Sequence, residues 1–407
     1  MSGALTWPFV RLYLLALLFF SANAILNVII PLRGGQLGAS NAAIGVIMGA
    51  YMLTAMVLRP WAGQIIQKHG PLKVLRLILT INGCALLLYT FTGLGGYFVA
   101  RVMQGASTAF FSMALQIGIL DALPEKERSQ GISLYSLFTY MPGIVGPIIA
   151  LSLWQTGGMA DLTWMLIGIA VFTGLFGFRA TRGDGKLRSA ADPDKEGVRV
   201  AQSWGQLIRN PVLFKCSLLM CGASVVFGAV TAFMPLYAEE LASGSAGIYL
   251  MIQAATVVLA RFALRRHIPS DGKWHSAFMM GTMLLVTIAA MCVSLAANGG
   301  ALLLYGGALL MGIAQALLYP TLTTYLSFAL PQASRNVLIG LFIATADLGV
   351  SLGGVAMGPV ADATSYSTMY AICAVLGAVQ AIFAFGRRQR RVDERRDLEG
   401  EGRQAGN

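Results

Sequence analysis

Long apolar stretches alternate with short polar breaks along almost the whole chain. Twelve of these stretches approach the ~20 residues that an α-helix needs to cross the hydrocarbon core of a bilayer. They lie at 9–32, 41–66, 72–93, 96–120, 129–154, 162–179, 211–238, 245–264, 276–297, 299–326, 336–360 and 366–386. The pattern therefore predicts an all-α membrane protein with twelve transmembrane helices.

The second half of the chain repeats marker residues of the first half. The matched pairs are Arg11 and Lys215, Pro31 and Pro235, Gly45 and Gly247, Arg59 and Arg261, Gly105 and Gly312, Pro124 and Pro331, and Arg128 and Arg335. Duplicated helical bundles are common in secondary transporters, with the substrate site between the repeats. We therefore predict two pseudo-symmetric six-helix bundles of this kind. The predicted units are an N-terminal bundle at 1–180, a cytoplasmic linker at 181–210, a C-terminal bundle at 211–386 and a basic cytoplasmic tail at 387–407.

The composition excludes a soluble protein. The 407 residues are 56% hydrophobic and only 12% charged, whereas soluble domains carry about 25% charged residues. The net charge of +11 is therefore better explained by membrane topology than by a nucleic-acid partner. The expected surroundings are a lipid bilayer.

The basic residues predict the orientation of the chain. With the N-terminus in the cytoplasm, only Arg33 falls in an outer loop and only Arg101 lies deep within a span. The other lysines and arginines then follow the positive-inside rule. We therefore predict a multi-pass protein of the cell membrane with both termini cytoplasmic. The long first span lacks a small-residue cleavage site, so we interpret it as a retained helix.

The sequence offers no motif for enzymatic or ATP-driven work. It contains no phosphate-binding loop of the G-x-x-x-x-G-K-[ST] type. Its three histidines fall in predicted cytoplasmic loops, and its five cysteines show no metal-ligand spacing. We therefore expect no cofactor, no metal site and no enzymatic activity. A channel or a membrane enzyme is a weaker alternative than a transporter of a small molecule.

Three local motifs resemble elements of the major facilitator superfamily. Residues 101–105 match the R-x-x-Q-G element, and residues 143–147 resemble the Gly-Pro element typical of its antiporters. Residues 63–73 resemble the G-x-x-x-D-[RK]-x-G-[RK]-x-[RK] loop, with Gln67 in place of the acid and Lys68 at the first basic position. The resemblance implies the facilitator fold, alternating access and coupling to protons. It also implies a gating role for the loop at Gln67 and Lys68.

Longer stretches are similar to a narrower family, the staphylopine-type exporters. They are residues 7–13, 20–27, 50–56 and 345–349. This resemblance implies proton-coupled export of an opine metallophore, a small molecule with several carboxylates, amines and an imidazole. The protein is expected to act as a monomer. A multidrug:proton antiporter of the same fold is the main alternative, and an uptake symporter is a further one.

Asp347 is the most distinctive candidate residue because it lies near the middle of a predicted span and has no charged counterpart in the other repeat. Its repeat partner is Tyr140. A charged side chain at the centre of a membrane helix costs about 3 kcal/mol and usually serves a function. Our hypothesis is that Asp347 couples transport to protons or binds a substrate amine. The alternative is a structural acid that bonds to helix backbone.

Arg101 is the second unduplicated charge, since its repeat partner is Ala308. A guanidinium presents paired donors that suit a carboxylate. We therefore predict that Arg101 binds an anionic group of the substrate, and the facilitator resemblance implies a part in proton coupling. The alternative is an internal bridge to Gln104, itself a candidate substrate-binding residue, or to a backbone carbonyl.

Neutral polar side chains in the spans form a third candidate set. Asn23 and Asn27 are four residues apart and therefore share one face of the first helix. We predict that they bind substrate, although asparagines also join helices within membranes. The weaker members of the same set are Tyr51, Gln116, Tyr140 and Tyr319.

The remaining charged candidates lie near predicted cytoplasmic helix ends, where structure and gating are more frequent roles than substrate contact. They are Arg59, Asp121, Arg128, Arg261 and Arg335. We interpret them as gating contacts between the two halves, with Arg128 or a neighbouring loop as the partner of Asp121.

Overall fold

A computed structural model describes residues 5–124, 127–180, 205, 207–264, 266–269, 271–331 and 335–385. Within this part of the chain, twelve helices are long and apolar enough to cross a membrane. They are α1 (Trp7–Gln36), α2 (Asn41–His69), α3 (Pro71–Phe91), α4 (Leu94–Ala122), α5 (Arg128–Thr156), α6 (Gly158–Ala180), α7 (Pro211–Glu240), α8 (Ala246–Ala263), α9 (Ser276–Ser294), α10 (Ala296–Ala329), α11 (Arg335–Ala363) and α12 (Tyr366–Phe385).

The predicted fold class is confirmed, and every predicted span matches a helix to within a few residues. Most of the predicted linker lies outside the described residues, and so does the whole predicted tail at 387–407.

Local sequence signals explain where several helices begin. The Ser40 hydroxyl accepts a hydrogen bond from the backbone N–H of Ala43 and caps α2. The Asn210 side chain accepts bonds from the backbone of two residues at the start of α7. Between α2 and α3, Gly70 adopts a positive φ of 83° and Pro71 follows at the first helical position. Such caps satisfy N–H groups that a helix start leaves unpaired.

The helices of the two halves pair in the same way. Helix α1 packs on α5 as α7 packs on α11, α2 packs on α4 as α8 packs on α10, and α3 packs on α6 as α9 packs on α12. The halves meet mainly where α2 packs on α11 and α5 packs on α8, with a smaller contact between α1 and α7. The duplication seen in the sequence is therefore also a duplication of packing.

The two ends of the bundle differ in charge and are named accordingly. The basic side is the end at which α1 begins, and it carries Arg11, Lys68, Arg128 and Lys215. The opposite side is the end at which α1 terminates, next to Arg33.

Glycines bring the two halves into backbone contact in the part of the bundle nearer the opposite side. A Cβ atom at Gly45 of α2 would overlap the carbonyl oxygen of Gly354 on α11. One turn further along α2, a Cβ atom at Gly49 would lie 2.8 Å from the carbonyl oxygen of Ser351. The second interface is also close, since a Cβ atom at Gly247 of α8 would lie 3.2 Å from the carbonyl oxygen of Pro147 on α5. These contacts seal the opposite side.

A carboxylate at the end of α11 strengthens this seal. The two side-chain oxygens of Asp362 accept hydrogen bonds from the backbone N–H groups of Asn41 and Ala42, each at 2.8 Å. The Tyr366 hydroxyl donates to the Asn41 side-chain oxygen at 2.6 Å. A carboxylate at a helix N-terminus also interacts favourably with the helix dipole. The C-terminal half thus caps the first turn of α2.

We expect Gly45→Ala to lower the thermal unfolding temperature of the purified protein. The added methyl group must push α2 away from the Gly354 carbonyl, and such overpacking costs about 1–3 kcal/mol. The matched control is Gly83→Ala in α3, where a Cβ atom meets nothing within 4 Å. Equal unfolding temperatures for the two variants in the same detergent would show that the α2–α11 contact is not tight.

Candidate functional site

A fully buried guanidinium occupies the core of the N-terminal half. Arg101 on α4 is 0% exposed. Its Nη1 donates to the Oδ1 atom of Asn23 at 2.7 Å, and its Nη2 donates to the Oδ1 atom of Asn27 at 2.8 Å. The two asparagines lie one turn apart on α1 and therefore match the fork of the guanidinium. The paired donors predicted to hold a substrate carboxylate are engaged with amide oxygens in this conformation.

Helix α2 completes the surroundings of Arg101. The Tyr51 ring lies 5.3 Å from the guanidinium carbon, and the Met48 sulfur lies 3.4 Å from Nη2. The Tyr51 hydroxyl is hydrogen-bonded to Thr108 at 2.9 Å. No carboxylate of the described residues lies within salt-bridge distance of Arg101. Its positive charge is thus dispersed over neutral groups and is not cancelled.

Gln104 bonds to Tyr89 and not to Arg101, the partner that the sequence offered as an alternative. Its side-chain oxygen accepts a hydrogen bond of 2.7 Å from the Tyr89 hydroxyl, which joins α4 to α3. Gln104 is 2% exposed. The bridge between Arg101 and Gln104, proposed as an alternative, is therefore not formed here.

A small cavity separates the Arg101 cluster from the C-terminal half. Its volume is about 30 Å³. Its lining residues come from α1, α2, α7 and α11 and include Asn27, Tyr51, Gly228, Thr231 and Val350. Asn27 and Thr231 are repeat counterparts, and the α2 and α11 residues place the cavity beside the α2–α11 interface between the halves. A space of this size holds about one or two waters, so a metallophore-sized solute requires the halves to separate.

Asp347 is paired across the interface between the halves. Its Oδ2 atom lies 3.0 Å from the Nε atom of Arg59 on α2. The Arg59 side chain is 28% exposed and the Asp347 side chain is 12% exposed. Along both helices the pair lies nearer the basic side than the glycine contacts do. The structure thus joins a residue predicted to couple protons with one predicted to act in gating.

The repeat counterparts of this ion pair also touch, with different chemistry. The guanidinium carbon of Arg261 on α8 lies 4.5 Å from the centroid of the Tyr140 ring on α5. Arg261 corresponds to Arg59, and Tyr140 corresponds to Asp347. One interface between the halves therefore has an ion pair where the other has a cation–π contact. Half-buried Tyr319 of α10 lies within electrostatic reach of both arginines.

Comparison with known proteins identifies the family. A model of the Major Facilitator Superfamily matches residues 12–270 and 271–406. The chain belongs to this superfamily. This facilitator is 53% identical over 385 residues to the staphylopine export protein of Staphylococcus aureus, which covers 95% of this chain and 97% of that protein. Multidrug resistance protein 2 of Bacillus subtilis is 27% identical over 112 residues, which covers 26% of this chain and 27% of that protein.

Solved structures support the same fold. The nucleoside transporter NupG aligns with a TM-score of 0.76 and 16% identity, covering 93% of this facilitator and 98% of that chain. A bacterial homologue of the human lysosomal transporter Spinster aligns with a TM-score of 0.73 and 15% identity, covering 95% and 97%. The predicted twelve-helix facilitator fold is thereby confirmed, and the protein is a multi-pass membrane transporter.

The other predicted gating residues lie away from the centre of this facilitator. Arg128 is exposed, and its Nε donates to the Leu123 carbonyl at the end of α4, at 3.3 Å. Lys68 is exposed at the end of α2, and Arg335 is half-buried at the start of α11. The side chains of Gln67 and Asp121 lie outside the described residues.

Gln116 is exposed on α4 and lies outside both the Arg101 cluster and the Arg59–Asp347 pair.

Sequence reasoning missed two contributors to the site. Asp362 forms the seal on the opposite side, and its sequence signal was an acid near the end of α11 with no acidic repeat counterpart. Met48 contacts Arg101, and an apolar side chain in an apolar span carries no comparable signal.

We expect Asn27→Leu to destabilise the facilitator by about 1–3 kcal/mol, the cost of leaving a buried donor of Arg101 unpaired. The same change in an Arg101→Met background should cost close to nothing, because no donor remains. Thermal unfolding of the four proteins in one detergent gives a double-mutant cycle. Additive effects of the two substitutions would contradict the assignment of the Arg101–Asn27 hydrogen bond.

Proposed function

We propose that this facilitator exports an opine-type metallophore in exchange for protons. The observation that carries the proposal is the 53% identity to the staphylopine export protein over 95% of this chain and 97% of that protein. Partial matches share only a segment of the fold, whereas this one spans both halves and their interface. A solute with several carboxylates also suits the charge of the central region.

The charge balance at the centre supports an anionic substrate. Arg59, Arg101 and Arg261 contribute three positive charges, and Asp347 is the one acid in contact with any of them among the described residues. Two positive charges are therefore left without a carboxylate. In a region of low dielectric constant, such charges attract anions strongly. Multiple carboxylates on the substrate would neutralise them.

The Arg59–Asp347 pair supports a mechanism for coupling. Because Arg59 lies in the N-terminal half and Asp347 in the C-terminal half, their attraction holds the halves together on one side of the cavity. A proton on Asp347 removes that attraction and lowers the cost of separating the halves. We propose that Asp347 is protonated and deprotonated once in each transport cycle, so that the movement of the halves depends on the proton gradient.

We propose that the basic side faces the cytoplasm, as the positive-inside rule predicts. With that orientation, the glycine contacts and Asp362 would close the outer side, and the Arg59–Asp347 pair would lie nearer the cytoplasm, where a metallophore awaiting export would be found. The protein is proposed to work as a monomer, since the proposed pathway lies between the two halves of one chain.

A multidrug:proton antiporter is the alternative function. The specific observation that favours it is the 27% identity to multidrug resistance protein 2 of Bacillus subtilis. That match spans 26% of this chain, and the uncompensated arginines suit an anion better than the apolar cations and neutral dyes of multidrug exporters.

The function is tested with purified protein in proteoliposomes and labelled staphylopine. We expect saturable counterflow of the label, and we expect a pH gradient to drive net movement against the proton flow. Efflux of dyes with no transport of staphylopine would favour the multidrug alternative. Net movement of staphylopine in the same direction as protons would identify a symporter.

Asp347→Asn is expected to reduce transport driven by a pH gradient by at least about tenfold, a typical size for coupling between sites. Asparagine cannot take up a proton, so the gradient no longer acts on the inter-half contact. Counterflow at equal pH on both sides should persist. The control is Asp161→Asn, which changes an exposed acid at the start of α6. Transport of the Asp347 variant that still responds fully to the gradient would remove Asp347 from the coupling mechanism.

A further inference from the structure

Arg261 has the same position in its repeat as Arg59 but no acid beside it. No carboxylate of the described residues lies within salt-bridge distance of Arg261. Its Nε atom is buried and makes no hydrogen bond to the described atoms. Its guanidinium carbon lies over the Tyr140 ring, 4.5 Å from the ring centroid, and a contact with an aromatic ring does not supply a hydrogen-bond acceptor in the plane of the guanidinium.

Comparison of the two repeats shows that the acid beside Arg59 has no equivalent beside Arg261. At the interface of α2 with α11, the cation of Arg59 and the anion of Asp347 neutralise each other at 3.0 Å. At the interface of α5 with α8, Tyr140 occupies the position equivalent to Asp347 and supplies a ring in place of a charge. Burying a guanidinium without an anion costs free energy because its charge loses water. An anionic group that binds there therefore gains binding free energy by neutralising the charge.

Both arginines lie near one residue of the C-terminal half. Tyr319 on α10 is close enough to Arg59, Arg261 and Tyr140 to interact electrostatically with each of them. The Arg261 guanidinium carbon lies over the Tyr140 ring, 4.5 Å from its centroid, and an arginine that packs on an aromatic ring can still offer its planar donors to a carboxylate. The site is therefore a cation that shares Tyr319 as an electrostatic neighbour with Arg59.

We infer that Arg261 binds a carboxylate of the substrate and that the substrate thereby supplies the anion that the second repeat lacks. Substrate binding then makes the two interfaces electrically alike, with Asp347 opposite Arg59 and a substrate carboxylate opposite Arg261. Arg261 is thus a specificity-determining residue that selects solutes with a carboxylate at this position. The inference rests on the proposed function, since it requires an anionic substrate.

The inference separates Arg261 from a purely mechanical role. If the contact with Tyr140 only held the halves together, loss of the guanidinium would change the rate of transport but not the preference among substrates. If Arg261 binds a carboxylate, its loss must abolish the advantage of substrates that carry that group.

Equilibrium binding of labelled staphylopine to the purified full-length protein tests this distinction. The competitors are unlabelled staphylopine and derivatives in which one carboxylate at a time is converted to an amide. For the unaltered protein, we expect one amide derivative to bind about 10- to 100-fold more weakly, as expected for loss of a charge-assisted hydrogen bond. For Arg261→Gln, staphylopine should bind more weakly by a similar factor, and that derivative should bind as well as staphylopine.

The matched control is Arg11→Gln. Arg11 is also an arginine beside an aromatic ring on the basic side, with its guanidinium carbon 5.2 Å from the Trp7 ring centroid. It lies at the start of α1 and is outside the proposed site, so its loss should leave affinity and preference unchanged. Arg261→Lys keeps the charge without the planar fork, so we expect it to bind staphylopine with intermediate affinity and to distinguish only weakly between staphylopine and the amide derivative. This variant replaces Arg261→Gln in the test if the glutamine variant does not fold.

The outcomes separate the two proposals. Failure of the unaltered protein to bind staphylopine would overturn the proposed function and this inference with it. Binding by the unaltered protein, combined with full discrimination by Arg261→Gln or by a folded Arg261→Lys, would overturn the inference alone.

Discussion

The organisation of this transporter depends on one constraint, namely that each charge placed among apolar helices needs a partner. A charge at the centre of a membrane helix costs about 3 kcal/mol even on the lenient insertion scale. Three interior arginines meet this constraint in three ways. Arg59 has a carboxylate at 3.0 Å, Arg101 has two asparagine oxygens at 2.7 and 2.8 Å, and Arg261 has an aromatic ring at 4.5 Å. Only the first of these partners cancels the charge.

The three arginines differ in whether their partners lie in the same half of the protein or in the other half. Arg101 and its asparagines all belong to the N-terminal half, so their hydrogen bonds survive when the halves move. The contacts of Arg59 and Arg261 cross between the halves, so they must change during movement. Duplication gave both interfaces an arginine, and the divergence between Asp347 and Tyr140 made one interface a neutral pair and the other a free cation. The difference between the two repeats thus leaves Asp347 as a group that can take up a proton and Arg261 as a group that can bind an anion.

Backbone packing determines which end of the pathway is closed. Glycines at 45, 49 and 354 let α2 and α11 approach to backbone contact, and Asp362 caps the first turn of α2. Side chains larger than hydrogen at these positions would keep the helices apart. The ion pair of Arg59 and Asp347 lies nearer the basic side, where it joins the halves through side chains.

Hydrophobicity, length and duplication predicted the twelve spans and the two repeats from the sequence alone, because a helix in lipid satisfies its own backbone and its apolar surface follows from the local sequence. The facilitator fold was implied by the resemblance of residues 63–73, 101–105 and 143–147 to elements of that family. Sequence reasoning also selected Asp347 and Arg101 as unusual charges. It assigned Arg59 to gating and Asp347 to proton coupling without pairing them, and it considered Gln104 or a carbonyl only as the alternative partner of Arg101. The folded molecule pairs Arg59 with Asp347 and Arg101 with Asn23 and Asn27. Those pairings join residues 74 to 288 positions apart along the chain. Only tertiary structure decides them, because the partner of a buried charge depends on how helices rotate and approach in space, and a linear sequence does not contain that geometry.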